Sequence, residues 1–213
     1  MTVAAVLVAG GSGARLGAEV PKAFVPVGGQ TLVEHALRRF VRHVAHTVLV
    51  VPAGWESHVE ASVIVTGGAT RQESVDAGLR AVPSHVDYVL VHDVARPFVP
   101  DDVITRVLAA LRAGADAVIP GLPVTDTIKR VDGEGVVTGT VDRADLMAVQ
   151  TPQGFRRSVL LAAHAGGAAG ATDDAALVEA MGGRVVVVAG SPEAFKITTA
   201  WDLMLAEAVA ARG

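Results

Sequence analysis

Six short runs of near-continuous valine, leucine, isoleucine and alanine, at 3–9, 47–51, 62–65, 88–92, 117–120 and 184–189, constrain this chain more than any other feature. A strand with one wet face alternates apolar and polar residues. A run that is apolar at every position has both faces covered, as parallel strands flanked by helices do. The segments between the runs carry the helical period. Thr31 and Glu34 form a capping box ahead of a single stripe of Leu32, Val33, Ala36, Leu37, Phe40, Val41 and Val44. Thr70 and Glu73 repeat the box before a helix through Leu79. Asp101 or Asp102 caps a helix over 103–112 that Gly114 stops, and Thr172 opens another that ends at Gly182-Gly183. Thr199 with Asp202 opens the last, from 201 to about 211. Strand and helix in succession predict an α/β fold: a doubly wound, mostly parallel, Rossmann-like sheet with right-handed crossovers. A chain of 213 residues fits one domain.

The stretch 123–152 departs from this pattern. It is more polar, lacks a helical stripe, and holds two β-type runs, 127–131 and 136–141, around Asp132-Gly133-Glu134-Gly135. An Asp-Gly pair between such runs signals a hairpin. A hairpin that leaves a compact domain needs something to pack against, since alone it is marginal in water. It is expected to protrude as an arm that meets another subunit, covers the active site, or does both.

Composition removes whole classes of chemistry. With no cysteine there are no disulfides, thiolate metal sites, iron–sulfur clusters or cysteine nucleophile, which suits a reducing cytoplasm. A charge of 18 − 22 = −4 argues against nonspecific nucleic-acid binding, which needs a basic face. No apolar run approaches the ~18 residues of a membrane span, and the first residues lack the basic start of a secretion signal. The expectation is a cytoplasmic protein with neither nucleic acid nor membrane as partner.

Directly after the first run comes Ala9-Gly10-Gly11-Ser12-Gly13-Ala14-Arg15-Leu16-Gly17, followed by Pro21-Lys22. A glycine-rich turn at a strand's C-terminal end lets backbone N–H groups reach a phosphate, although the same residues also serve a tight strand exit. The spacing misses the dinucleotide fingerprint by one residue, and the second strand ends without a ribose-binding carboxylate. Lys22 follows proline instead of completing Gly-Lys-Ser/Thr, so a P-loop is disfavoured too. The histidines show no ligand spacing with carboxylates, and there is no Gly-x-Ser-x-Gly elbow. What remains is a phosphate cradle with two cations just beyond it, a pairing suited to charge that accumulates on transferring phosphoryl oxygens.

Gly-Gly-Ser-Gly-Ala-Arg-Leu with Pro21-Lys22 downstream resembles the signature of the sugar-phosphate nucleotidyltransferases. Further matches follow in order: Gly67-Gly68-Ala69-Thr70-Arg71-Gln72-Glu73-Ser74-Val75, His92-Asp93-Val94-Ala95-Arg96-Pro97, Asp126-Thr127-Ile128-Lys129-Arg130, Asp142-Arg143, Gln150-Thr151-Pro152-Gln153, Thr172-Asp173-Asp174 and Lys196-Ile197-Thr198. Together, and over almost the whole chain, they resemble the 2-C-methyl-D-erythritol 4-phosphate cytidylyltransferase family of the non-mevalonate isoprenoid pathway. The resemblance implies CTP and a polyol phosphate as substrates, Mg²⁺ as cofactor, and a homodimer joined through the 123–152 arm. It implies that Arg15, Lys22, Arg143 and Lys196 act in catalysis. Ala9, Gly10, Gly11, Ser12, Gly13, Gly68, Ala69, Ser74, Asp93 and Val94 are then expected at the nucleotide, and Arg96, Thr127, Arg143, Thr151, Lys196 and Thr198 at the acceptor. Asp93 is the expected metal ligand; one carboxylate suffices for Mg²⁺ when substrate phosphates and waters complete its shell. Read on their own, Asp93 also suits a turn cap or a pairing with Arg96, Arg96 a loop brace, and Ser74 a first-turn helix residue. Arg143 also suits a surface pairing with Asp142 or Asp145. A cytidylyltransferase for another polyol phosphate, such as ribitol 5-phosphate, and a silent nucleotide-binding scaffold stay open as alternatives.

Overall fold

The computed structural model describes residues 1–10, 20–55, 59–167 and 171–212. Among these, the first strand is β1 (Val3–Val8), and β2 (Pro26–Val27) and β3 (Gln30–Thr31) form a small pair of their own. β4 (His46–Val51), β5 (Val63–Thr66), β6 (Tyr88–Asp93) and β7 (Ala117–Pro123) follow. Next come β8 (Ile128–Val131), β9 (Val137–Val141), β10 (Met147–Val149), β11 (Gln153–Arg156) and β12 (Val185–Ala189). The central sheet runs β10-β7-β11-β6-β1-β4-β5, with β12 also paired to β7. Its parallel pairs join β1, β4, β5 and β6, and separately β7 with β12. Every residue of β1 is buried, as its unbroken apolar run requires.

Successive side chains of these strands enter two separate cores. Val3, Ala5 and Leu7 face one layer, formed by α1 (Leu32–Phe40) and α3 (Asp101–Arg112), to which α6 (Ala200–Ala210) adds Ala206. Ala4, Val6 and Val8 face the other, formed by α2 (Arg71–Arg80), α4 (Arg157–Gly166) and α5 (Asp174–Ala180). Helices on both faces make the sheet doubly wound. The expected capping boxes of Thr31, Thr70 and Thr199 are all present.

Several boundaries differ from expectation. Neither Asp101 nor Asp102 caps α3: both lie in its first turn behind Pro100, where a carboxylate meets the positive end of the helix dipole. The cap of α5 is Asp173, not Thr172; its side chain accepts from the Ala176 N–H. Unforeseen are the antiparallel strands β10 and β11, and α4 behind them. β11 is wedged between β6 and β7, and α4 starts without a side-chain cap, so its start carries no local signal. The hairpin is β8 against β9, a two-stranded sheet separate from the central one.

α2 packs against the sheet at Gly78. A Cβ there would lie 2.5 Å from Val6 Cγ1 and 2.9 Å from Val50 Cγ2, so the helix sits closer to β1 and β4 than any side chain allows. Gly78→Ala should therefore destabilise the fold by about 1–3 kcal/mol, against the ~1 kcal/mol by which alanine favours a helix. The loss should shrink in a Val6→Ala background, and urea titration of the four proteins measures it. An equal loss in both backgrounds would rule out this clash as the cause.

Candidate active site

Register brings the site together. Val8 pairs with Asp93 on one side and Val50 on the other, so three parallel strands end level with one another. At such a C-terminal edge an α/β sheet leaves its crevice. A cleft of about 730 Å³ opens there, walled by the ends of β1 and β4, the 67–71 turn, Asp93, Lys22 and Lys196.

The nucleotide side of this cleft is backbone drawn tight against α2. A Cβ on Gly67 would lie 2.6 Å from Ser74 Oγ, and one on Gly68 would collide with Glu73, whose carboxylate closes the capping box on Thr70. Thr70 and Glu73 are thus cap residues, and the bare Gly67-Gly68 edge faces the cleft. Ser74 is buried, and its hydroxyl donates to the Thr70 carbonyl at 2.9 Å, leaving an oxygen lone pair to accept from a ligand amino group.

Asp93 stands at the centre. Its Oδ1 receives Arg71 Nε at 3.1 Å and its Oδ2 receives Lys196 Nζ at 2.7 Å. Burial alone would raise this carboxyl; the Arg71 and Lys196 charges, with the lysine hydrogen bond, outweigh it and hold the group well below the ordinary carboxylate range. The Asp93 N–H donates to Thr151 Oγ1 at 3.1 Å, and Thr151 Oγ1 lies 2.9 Å from His92 Nδ1. Burial pushes His92 down to about 4, so the ring is neutral at physiological pH. Its Nε2 lies 3.1 Å from the Arg96 carbonyl, which only accepts, so the proton is on Nε2 and Nδ1 accepts from the Thr151 hydroxyl. This run of bonds fixes the backbone that carries Asp93.

The pairing of Asp93 with Arg96 is replaced by pairing with Arg71. Arg96 instead donates to the carbonyls of Ala194 (2.7 Å) and Val149 (3.4 Å), bracing the loop that leads to Lys196. Lys22 Nζ donates to the carbonyl of Ile197 at 2.8 Å, which draws two lysines 174 positions apart in sequence to one wall. Thr198 is engaged with Asp202 in capping α6, and Val94 and Ala9 are buried behind the wall, their N–H groups bonded to Val8 and Val50. Thr151 lies under Asp93, so it reaches the site through that residue. Gly10 lines the cleft; Gly11, Ser12, Gly13 and Arg15 lie outside the described residues. Thr127 and Arg143 are not brought to this wall: they are exposed on the arm, where an Arg143 guanidinium N–H donates to the Thr125 carbonyl.

One part of the site had no signal in sequence spacing. Arg71 Nη1 donates to Asp174 Oδ2 at 2.7 Å, and His164 Nε2 lies 3.1 Å from Asp174 Oδ1. Asp174 is 1% exposed. Arg71 and Asp174 stand in quoted motifs, yet nothing in the sequence pairs them across 103 positions.

The fold and this constellation of glycine edge, ionised strand-end carboxylate and convergent lysines are those of a nucleotidyltransferase. The family model for 2-C-methyl-D-erythritol 4-phosphate cytidylyltransferase matches residues 3–212, and the chain belongs to that family. A relative of that name from Nocardia farcinica is 52% identical over 97% of this chain and 93% of its own length. The "Bifunctional enzyme IspD/IspF" of Clavibacter michiganensis is likewise 52% identical over 97% of this chain, which spans only 54% of that longer protein. The crystal structure of 2-C-methyl-D-erythritol 4-phosphate cytidylyltransferase from Thermus thermophilus superposes with a TM-score of 0.86 at 43% identity, covering 99% of this chain and all of that one.

Arg71 is the partner that the buried Asp174 cannot lose without stranding a charge. Arg71→Met should cost about 3–5 kcal/mol of stability, and adding Asp174→Asn should recover part of it. A double-mutant cycle by chemical denaturation measures the coupling; strictly additive losses would mean that the pair is not a unit.

Proposed function

We propose that this chain transfers CMP from CTP to 2-C-methyl-D-erythritol 4-phosphate, giving 4-CDP-2-C-methyl-D-erythritol and diphosphate. The observation that carries this reading is the convergence of Lys22, Lys196 and an ionised Asp93 on one cleft beside a bare glycine edge. A phosphate oxygen of the acceptor attacks the α-phosphorus of CTP; the new O–P bond forms as the bond to the β-phosphate oxygen breaks, and diphosphate leaves with the electron pair. The nucleophile is anionic already at neutral pH, so no general base is needed. Catalysis is then positioning plus neutralisation of charge. Lys22 and Arg15 take the triphosphate and Lys196 the acceptor phosphate. The Gly68–Ala69 backbone and the Ser74 oxygen meet the cytosine edge.

Asp93 fits a divalent cation. It is ionised and faces the cleft, and the described residues hold no cluster of three or more ligating side chains, so substrate phosphates and water complete the shell. When bound, Mg²⁺ neutralises charge on the phosphoryl oxygens. Diphosphate release, followed with a panel of polyol phosphates in Mg²⁺ and in EDTA, tests the whole reading. Turnover is expected with 2-C-methyl-D-erythritol 4-phosphate and Mg²⁺; preference for ribitol 5-phosphate, or no turnover with any acceptor, would refute it. Lys22→Ala should keep the fold and lower kcat by ~10²–10³ with a smaller effect on CTP affinity. An unchanged kcat would remove Lys22 from the chemistry.

The arm extends the reading to a second subunit. It exposes Val131 and Val137, paired across its two strands, and Val136 beside them, apolar surface that a partner would cover, and it carries Thr127 and Arg143 away from the described cleft. In a two-fold dimer, these two residues hold the acceptor phosphate and polyol in the neighbour's site, where an arginine fork grips phosphate bidentately. Mixing Lys22→Ala with Arg143→Ala tests this: a heterodimer then has one site with both lesions and one with neither. Random reassociation should restore roughly a quarter of wild-type sites. Mixed dimers that form and stay dead would place the arm in its own subunit's site.

A further inference from the structure

Both carboxylate oxygens of Asp93 are occupied by cations of this chain, and the two cations are held very differently. Arg71, the first residue of α2, is fixed at both ends: its Nε meets Asp93 Oδ1 at 3.1 Å and its Nη1 meets Asp174 Oδ2 at 2.7 Å. Asp174 is in turn backed by His164, and both side chains are almost wholly buried. Withdrawing Arg71 from this line would leave a carboxylate in the interior without its cation, which is strongly unfavourable. Lys196 holds the other oxygen at 2.7 Å from outside: its side chain is 41% exposed. It precedes α6 in a segment without regular structure, and its ammonium sits on a flexible stem that water can solvate once released.

We infer that Arg71, anchored by Asp174, is the permanent counter-ion that positions Asp93, whereas Lys196 is an exchangeable latch that gives up its carboxylate oxygen when a divalent cation arrives with its nucleotide. The inference rests on the reading of this cleft as a metal–CTP site. It assigns Arg71 and Asp174 as positioning residues, acting on substrate only through Asp93. It also gives Lys196 two successive partners: the carboxylate in the free enzyme, and afterwards the acceptor phosphate, which meets the unneutralised charge of the ammonium only once Asp93 has let it go. The exchange keeps the local charge nearly balanced before substrate arrives, and sets a cation free once the nucleotide has brought its own.

The latch predicts an effect of opposite sign to the loss of an ordinary binding residue. Calorimetric titration of CTP into the protein, in Mg²⁺ and in EDTA, gives the ratio by which the cation tightens nucleotide binding. Taking the ratio cancels any contact between Lys196 and CTP that is the same with and without the cation. Lys196→Met removes the competitor for Asp93 and should raise this ratio by about fivefold, while turnover falls. Asp174→Asn lets the Arg71 fork turn onto Asp93 and should lower the ratio. A ratio unchanged or reduced in Lys196→Met overturns the latch. An unchanged ratio in Asp174→Asn, with only stability lost, reduces Arg71 to a structural tie and overturns its positioning role. A wild-type ratio of one is a different failure: it would mean that no cation acts with CTP here, and the metal reading itself falls together with the latch.

Discussion

An ionised carboxylate at the end of a buried parallel strand is the constraint around which the rest of this molecule is arranged. Asp93 is the last residue of β6, whose preceding residues lie in the interior, so its charge is held where water is scarce. A carboxylate there survives only with cations and donors aimed at it. Those groups come from distant parts of the chain: Arg71 from the start of α2, Lys196 from the approach to α6, and Thr151 from the loop between β10 and β11. The order of elements along the chain is thus tied to one atom group, because each of them must end within bonding distance of it.

The sheet makes that convergence possible. Level strand ends put the ends of β1 and β4 and Asp93 along one rim, and the close approach of α2 permitted by Gly78 sets where its N-terminus, with Gly67, Gly68 and Arg71, meets that rim. β11, inserted antiparallel between β6 and β7, carries the chain back across the sheet so that Thr151 sits beneath Asp93. The interior of the helix layer supports the site in turn. The Arg71–Asp174–His164 line runs from the cleft into the packed region between α2, α4 and α5, so part of the site's electrostatics is settled by Asp174 and His164, which are buried behind it.

Much of this was legible in the residues. The unbroken apolar runs marked the parallel strands, and in β1, β4, β6 and β7 they are covered as such runs require; β5 and β12, equally apolar, are not, and Val63, Ile64 and Val187 stay exposed. Capping boxes at Thr31, Thr70 and Thr199 marked helix starts, because that bond pattern is local and chemically specific. The spaced motifs named most of the cleft, Lys22, Gly68, Asp93 and Lys196 among them. Elements with weak local signals are not marked in this way: α4 starts without a cap, β10 and β11 are short, and Asp173 stands beside Thr172, whose side chain is equally capable of capping.

By itself, the sequence determined the fold class and the set of chemical groups, since periodicity, caps and glycine turns act over a few residues and are written where they act. Only the tertiary structure decided the partnerships. That Asp93 pairs with Arg71 and Lys196 and not with its neighbour Arg96, that Arg71 is tied to a buried Asp174, and that Thr151 serves the backbone beneath the site all depend on which strand ends lie side by side. Ion pairs and hydrogen bonds form across space between groups 22 to 103 positions apart, and their distances follow from packing, which no local pattern encodes.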